Sequence, residues 1–294
     1  MGPGWRTVIL AGRDYPAPAK LNLFLHVIGR RADGYHLLQT AFRFLNYSDR
    51  LRFRVRDDGV INCMVPLPGV APVDDLTVRA ACALQIAAGT RLGADIELEK
   101  RLPVGGGVGG GSSDAATVLI ALNQLWYTGL TRSELMAIGI SLGADVPVFV
   151  FGRSSFGEGI GELLKPIDLA PAWYAVLTPP AIVDSGSIFA APELTRNTKP
   201  IKLAAFSRVP AQCGDYHNDL EPVATKQHPE IARHLAWLRQ FGDARMTGSG
   251  ACVFCSFDSE SAAQAIMAKL PPGMRGFVAK GVDRHPLHDL VGDA

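Results

Sequence analysis

The residues with the most chemistry in their spacing form the run Pro103-Val104-Gly105-Gly106-Gly107-Val108-Gly109-Gly110-Gly111-Ser112-Ser113. Six of its eleven positions are glycine, and glycine loses more backbone freedom on ordering than any other residue. That cost is tolerable where several backbone N–H groups must converge on something bulky and negative. The continuation agrees: Ser112-Ser113-Asp114 offers caps, and Ala115 to Leu122 reads as an apolar helix. A glycine turn feeding a helix N-terminus is a phosphate cradle, because free amides and the helix dipole face the anion together. The run lacks the Gly-Lys-Ser/Thr ending of a P-loop. Gly105, Gly107 and Gly110 satisfy G-x-G-x-x-G formally, yet residues 130–134 read as a helix start where a dinucleotide fold needs an acid closing a strand. A linker would continue in Ser, Gly or Pro instead of entering a dense apolar helix.

Two further places carry candidate chemistry. From Lys20 to Val27 the chain alternates, Leu21, Leu23, Leu25 and Val27 on one face and Lys20, Asn22, Phe24 and His26 on the other. The second face either serves a site or is an ordinary half-exposed strand surface. Asp145, in Ala144-Asp145-Val146-Pro147, reads as a helix N-cap with Pro147 in the first turn. It is equally suited to catalysis, and the two roles do not exclude each other. A carboxylate within about 3 Å of an alcohol helps its proton leave, and a nearby ammonium favours the ionised form. Lys20 and Asp145 suit those roles. A second glycine turn, Thr247-Gly248-Ser249-Gly250-Ala251, runs into a strand.

These residues need elements to hold them. Asp33-Gly34 signals a turn, followed by extended stretches at 39–45 and 51–55; 75–85 reads as a helix and 96–99 as a strand leading into the glycine run. Thr131-x-x-Glu134 is a capping box for a helix closing at Gly143. Beyond residue 160, 173–177 and 276–280 read as strands, and 230–241 and 260–270 as helices. Strands and helices mix without regular alternation, so the expected class is α+β with two domains, residues 1–160 and 161–294. At 294 residues, 48% hydrophobic and 19% charged, the chain has ample core for both.

A net charge of +1 gives no global pull toward nucleic acid or membrane, so an anionic ligand must be held by local geometry. Arg50, Arg52, Arg54 and Arg56 alternate along one strand face and read as a solvated row. Five cysteines include one close pair, Cys252 and Cys255, inside an apolar run with no second pair or nearby histidine, so buried small hydrophobes in a reducing compartment are expected. No signal peptide or membrane span is legible, and the expectation is a cytoplasmic protein.

Taken in order, Pro16-Ala17-Pro18-Ala19-Lys20-Leu21-Asn22-Leu23, the Gly-Ser run and Thr247-Gly248-Ser249-Gly250-Ala251-Cys252-Val253-Phe254 resemble the galactokinase, homoserine kinase, mevalonate kinase and phosphomevalonate kinase superfamily. Arg31-Ala32-Asp33-Gly34-Tyr35-His36, Leu142 to Pro147 and Asn218-Asp219-Leu220-Glu221-Pro222 sharpen the likeness, which runs from Pro16 nearly to the C-terminus. It is closest to a branch that phosphorylates a cytidine-diphosphate-bearing sugar alcohol in the non-mevalonate isoprenoid pathway. The resemblance implies a two-domain kinase fold, Mg2+ with ATP as donor, transfer to a tertiary 2-hydroxyl, and a ligand cleft between the domains. It implies Asp145 as general base with Lys20 as its charge partner, the run Pro103 to Ser113 around the nucleotide phosphates, and substrate contacts from Asn22, Tyr35, His36 and the stacking aromatic Phe189. Ser112 or Ser113 is a possible hydroxyl ligand for magnesium; the metal ligands stay unassigned. Tyr35 and His36 also admit a plainer reading, as a hairpin cover and a structural histidine.

Two departures stand out. Ser185-Gly186 replaces the family's usual Thr-Pro, implying a looser loop before Phe189, and Asp75-Leu76 stands where Asn-Leu is common. The rival readings are a kinase for another alcohol (mevalonate, homoserine or a sugar) and a nucleotide-binding sensor without catalysis.

Overall fold

The computed structural model describes residues 13–67, 69–203 and 216–292. In chain order the elements are β1 (Tyr15–Arg30), β2 (His36–Arg56), β3 (Ile61–Cys63), α1 (Leu76–Ala88), β4 (Gly93–Glu99), α2 (Gly110–Leu125), α3 (Arg132–Leu142), α4 (Val146–Phe151), β5 (Ser155–Glu158), β6 (Leu163–Pro166), β7 (Trp173–Leu177), α5 (Ser185–Ala190), α6 (Glu221–Gln227), α7 (Pro229–Leu238), β8 (Arg245–Met246), β9 (Val253–Phe257), α8 (Glu260–Met267) and β10 (Gly276–Val282). The class is α+β.

β2 is the spine. The two short stretches read at 39–45 and 51–55 are one strand of 21 residues, because the polar residues between them, Asn46 to Arg50, continue the pairing without a turn. β1 runs antiparallel along most of its length, while β5, β10 and β4 pair with it in succession at 40–42, 44–45 and 50–56. β4 places Glu99, Glu97 and Asp95 opposite Arg50, Arg52 and Arg54. Arg52 Nε also lies 2.7 Å from Asp14. The arginine row is therefore an ion-paired solvated face; exposed pairs of this kind contribute little stability each.

β1 departs from the alternation expected of a half-exposed strand: residues 17–27 are buried on both faces. Helices α1, α2, α3 and α4 supply one cover, packing Val118, Leu119, Leu122, Phe149 and Val150 into a core with Tyr15, Phe44 and Leu51. On the other side Phe24 meets Phe156 and Tyr216. The local signals explain the helices. Asp75 caps α1 by accepting from Thr77 N–H, and Gly89 closes it in the left-handed region. Thr131 and Glu134 form the capping box of α3.

The sheet order β3-β4-β2-β10-β7-β9-β8 is continuous, and β10 joins its halves. Residues 276–280 pair with β7 and residues 281–282 with β2. The division drawn near residue 160 falls within the β5–β6 hairpin, and the chain returns to the first half afterwards. Leu287 and Val291 enter the first core, where the Arg132 guanidinium donates to the carbonyls of Val150, His288 and Val291 at 2.8–2.9 Å.

Candidate active site

The site begins where β1 meets the glycine run. The Lys20 backbone N–H donates to Val108 O at 2.9 Å. Its side chain is 2% exposed, and Nζ lies 3.0 Å from Asp145 Oδ2. The ammonium also donates to Asn22 Oδ1 in a short contact and sits 5.7 Å from the Phe42 ring centroid. A buried ammonium needs this company, since desolvation without partners is costly.

Asp145 occupies the N-cap position of α4, yet its side chain makes no capping bond. The carboxylate turns to Lys20 instead, 37% exposed and open to the cleft. The side chain therefore does not perform the capping role read for this residue and pairs with Lys20 instead. Pro147 holds the first turn, so α4 starts without the cap.

Asn22 is 3% exposed and its polar groups are engaged. Oδ1 accepts from Lys20, Nδ2 donates to Thr40 Oγ1 at 2.9 Å, and the backbone N–H donates to Thr247 Oγ1 at 2.9 Å. It borders the cleft, and its side-chain oxygen meets the lysine ammonium. Thr40 and Thr247, which hold Asn22, were not singled out from the sequence; the only signal for Thr247 is its place at the head of the second glycine turn.

The glycine run serves three different needs. Gly109, with φ 75°, forms the N-cap of α2, and no side chain caps that helix. Ser112 and Ser113 therefore do not act as the caps the sequence offered. Ser112 faces the cleft, and Ser113 is buried with its hydroxyl unpartnered. The open α2 N-terminus is the feature a phosphate would use. A Cβ on Gly109 would stand 3.0 Å from Lys20 Cε and 2.9 Å from Phe149 Cζ, so this glycine also makes room for the lysine. Gly107 has a third reason: a Cβ there would lie 2.3 Å from Thr247 O, and the two glycine turns touch backbone to backbone. Cys252 N–H donates to Gly106 O at 3.0 Å in the same seam.

Behind the run, Lys100 bridges Asp49 and Asp114, and Asp49 Oδ1 also accepts from Leu102 N–H at 2.7 Å. Burial pushes the Asp114 carboxyl up to about 7, against the attraction of Lys100. A carboxyl raised in the fold stabilises it most at low pH and loses that contribution as pH rises through the folded value. Asp114→Asn, which cannot ionise, is therefore expected to gain stability relative to wild type between about pH 5 and about pH 8, read as the difference in denaturant midpoint. A difference that is flat or reversed over that interval would show that Asp114 is not titrating there.

The cleft measures about 620 Å³. Its lining includes Lys20, Asn22, Ser112 and Asp145 as well as Tyr35, His36 and Phe189, with Ser185, Gly248 and Ser249. The lining thus gathers the candidates for catalysis and substrate contact together with Ser112, but not Pro103 to Gly111 or Ser113 of the glycine run. Tyr35 is 60% exposed, while His36 stacks on Phe189 with centroids 5.0 Å apart and planes at 29°. Ser185-Gly186 do not leave a loose loop before Phe189: they open helix α5, which Asp184 caps. Asp184 accepts from the Gly186 and Ser187 amides, and the Ser185 and Ser249 hydroxyls are 2.6 Å apart. The Asn218-Asp219 motif ties the same region: Asn218 Nδ2 donates to the carbonyls of Met246 and Gly248, and Asp219 accepts from the Val27 amide and Thr198 hydroxyl.

Burial raises the Cys252 and Cys255 thiols to about 12 and about 11. Cys63, Cys82, Cys252 and Cys255 are free thiols, and the described residues contain no cluster of three or more His, Cys, Asp or Glu side chains suited to a metal ion. Among the described residues, no helix is long and apolar enough to cross a membrane.

A sheet-and-helix body with an uncapped glycine-rich helix start beside a Lys–Asp pair open to a cleft is the arrangement a small-molecule kinase needs. Residues 75–153 match the GHMP kinases N terminal domain and residues 205–273 the GHMP kinases C terminal domain. The chain is 60% identical over 277 residues to a Thiobacillus denitrificans protein named 4-diphosphocytidyl-2-C-methyl-D-erythritol kinase, covering 94% of this chain and 98% of that one. A Nitrosospira multiformis protein of the same name is 60% identical over 279 residues, covering 94% and 93%. The crystal structure of a 4-(cytidine 5'-diphospho)-2C-methyl-D-erythritol kinase superposes with a TM-score of 0.79 at 33% identity, covering 92% of this chain and 99% of that one. The chain belongs to the GHMP kinases and, within them, to the 4-diphosphocytidyl-2-C-methyl-D-erythritol kinase family. It is an enzyme, a phosphotransferase that uses ATP as phosphoryl donor.

Proposed function

We propose that the chain transfers the γ-phosphoryl group of ATP to the 2-hydroxyl of 4-diphosphocytidyl-2-C-methyl-D-erythritol. The observation that carries this reading is the 3.0 Å Lys20–Asp145 pair, bordering a cleft that is also lined by aromatic and imidazole side chains. Phosphoryl transfer depends mainly on positioning and charge neutralisation. The amides of the glycine run and the α2 N-terminus grip the phosphates. The acceptor hydroxyl loses its proton to Asp145 as its oxygen bonds to phosphorus, and ADP leaves. Lys20, fixed by Asn22 and Phe42, holds the carboxylate in place and supplies positive charge beside the transferring group. Residues 1–160 form the ATP-binding domain in this reading, and residues 161–294 close the substrate side with Phe189.

The donor set fits magnesium only in combination with the nucleotide, since Asp145 and the Ser112 hydroxyl are the oxygen groups facing the cleft beside the glycine run. Ser112 and the phosphates would hold Mg2+, which supplies charge neutralisation on the phosphate oxygens. The cytidine diphosphate portion of the substrate lies against Tyr35, His36 and Phe189. The free thiols among the described residues fit a reducing, cytoplasmic setting.

The test is an ADP-release assay across a panel of alcohols, with product identified by phosphorus NMR. The cytidine-bearing alcohol should be phosphorylated, and mevalonate, homoserine and galactose should not. Transfer to one of those three with none to the cytidine substrate would overturn the assignment. Nucleotide binding without transfer to any would favour the sensor reading.

A further inference from the structure

One side chain outside the cleft lining connects two of its ring-bearing residues. Arg196, in the loop after α5, donates from Nε to His36 Nε2 at 3.0 Å. Its Nη2 donates to Phe189 O at 3.0 Å and Ala191 O at 2.7 Å, and its Nη1 to Leu194 O at 3.0 Å. The loop is itself fastened, with Thr198 N–H donating to Val27 O at 3.1 Å and its hydroxyl to Asp219 at 2.8 Å. A guanidinium has no acceptor and keeps its protons. His36 Nε2 must therefore present its lone pair to Arg196, and the ring proton resides on Nδ1.

We propose that Arg196 is a positioning residue for specificity: it fixes His36 as the neutral Nδ1–H tautomer, locks the ring against Phe189, and so presents one defined donor to a pyrimidine acceptor edge. The geometry carries the proposal, and the electrostatics agree. Burial, then Arg196, then Arg30 hold His36 below the usual imidazole range. Those arginines are the charged groups facing the ring, from the loop after α5 and from the end of β1; Asp33, in the intervening turn, is paired with Arg31 at 2.7 Å. A protonated His36 would direct a second N–H against the guanidinium, so the contact itself favours the neutral ring.

The part concerning cytidine rests on the proposed substrate; the tautomer does not, and the two are tested separately. Protein labelled with 15N-histidine, with His36→Asn to assign the signal, reports tautomer and titration by long-range 1H–15N spectra. Wild type should show a neutral Nδ1–H ring that resists protonation, and Arg196→Gln should show mixed tautomers that protonate more readily than wild type, while burial and Arg30 still disfavour the charged ring. An Nε2–H ring in wild type, or an unchanged spectrum in Arg196→Gln, would overturn the proposal. For recognition, Arg196→Gln should raise KM for the cytidine substrate by about tenfold, the scale of one well-placed hydrogen bond, with KM for ATP unchanged. The increase should grow as pH falls through the histidine range. Arg196→Lys keeps the charge but not the fork, and should recover the titration more than the KM. A uniform loss of kcat with no KM or pH effect would mean a merely structural arginine. Absence of wild-type activity on the cytidine substrate, with the spectra as expected, would sink the substrate assignment alone.

Discussion

Asp145→Asn should bind ATP and the cytidine substrate nearly as wild type does, and turn over at least ~10²-fold more slowly. The substitution is nearly isosteric and leaves α4 intact, because the Asp145 side chain does not cap that helix. An amide oxygen can still face Lys20, so the wall of the cleft keeps its shape. What disappears is the acceptor for the hydroxyl proton, an effect confined to the transition state. Steady-state kinetics would therefore show kcat falling with each KM moving by less than about threefold. Near-normal turnover would remove Asp145 as the base. A large rise in KM with kcat preserved would make it a binding residue.

Gly107→Ala should cost at least about 3 kcal/mol of folding stability, the largest structural effect expected in the glycine run. Its φ of 73° lies where a side chain is strained, and a Cβ would meet two backbone oxygens, Thr247 O at 2.3 Å and Gly250 O at 2.8 Å. Backbone carbonyls cannot swing aside as a flexible side chain can, so the two turns must part. Because Thr247 holds the Asn22 amide, the separation reaches Lys20 and activity falls as well. Gly111→Ala is the control. It lies in the first turn of α2, its Cβ would approach only Leu76 Cδ1 at 3.4 Å, and its stability should stay within about 1 kcal/mol of wild type. Chemical denaturation midpoints separate the cases; equal effects at the two positions would refute the interlocked-turn account.

The two substitutions mark the boundary of what the chain's order reveals. The glycine run announced a helix start aimed at an anion because local entropy and capping rules act over a few residues. It did not reveal that Gly107 and Gly109 answer to partners elsewhere, since Thr247 and Lys20 meet them only through the sheet. One consequence concerns Gly109. A bulky replacement there strikes Lys20 and should impair transfer as well as ATP binding. Lys20 and Asn22 stood out as polar residues in an alternating strand; the burial of both faces of β1 depended on Phe156 and Tyr216, which periodicity within one strand cannot show. Asp145 read as a cap because Pro147 follows it, and only the position of Lys20 in the fold shows that its side chain turns away from the helix. The closing of the sheet by β10 was invisible for the same reason: residues 276–282 look like any short strand, and their two sets of partners lie far away in sequence.

The most direct measurement is a crystal structure of the enzyme with a non-hydrolysable ATP analogue and 4-diphosphocytidyl-2-C-methyl-D-erythritol bound together. The predicted result is an acceptor 2-hydroxyl within about 3 Å of the Asp145 carboxylate, in line with the terminal phosphorus, with Lys20 still paired beside it. A 2-hydroxyl pointing away from Asp145, or triphosphate bound away from the glycine run, would contradict the account.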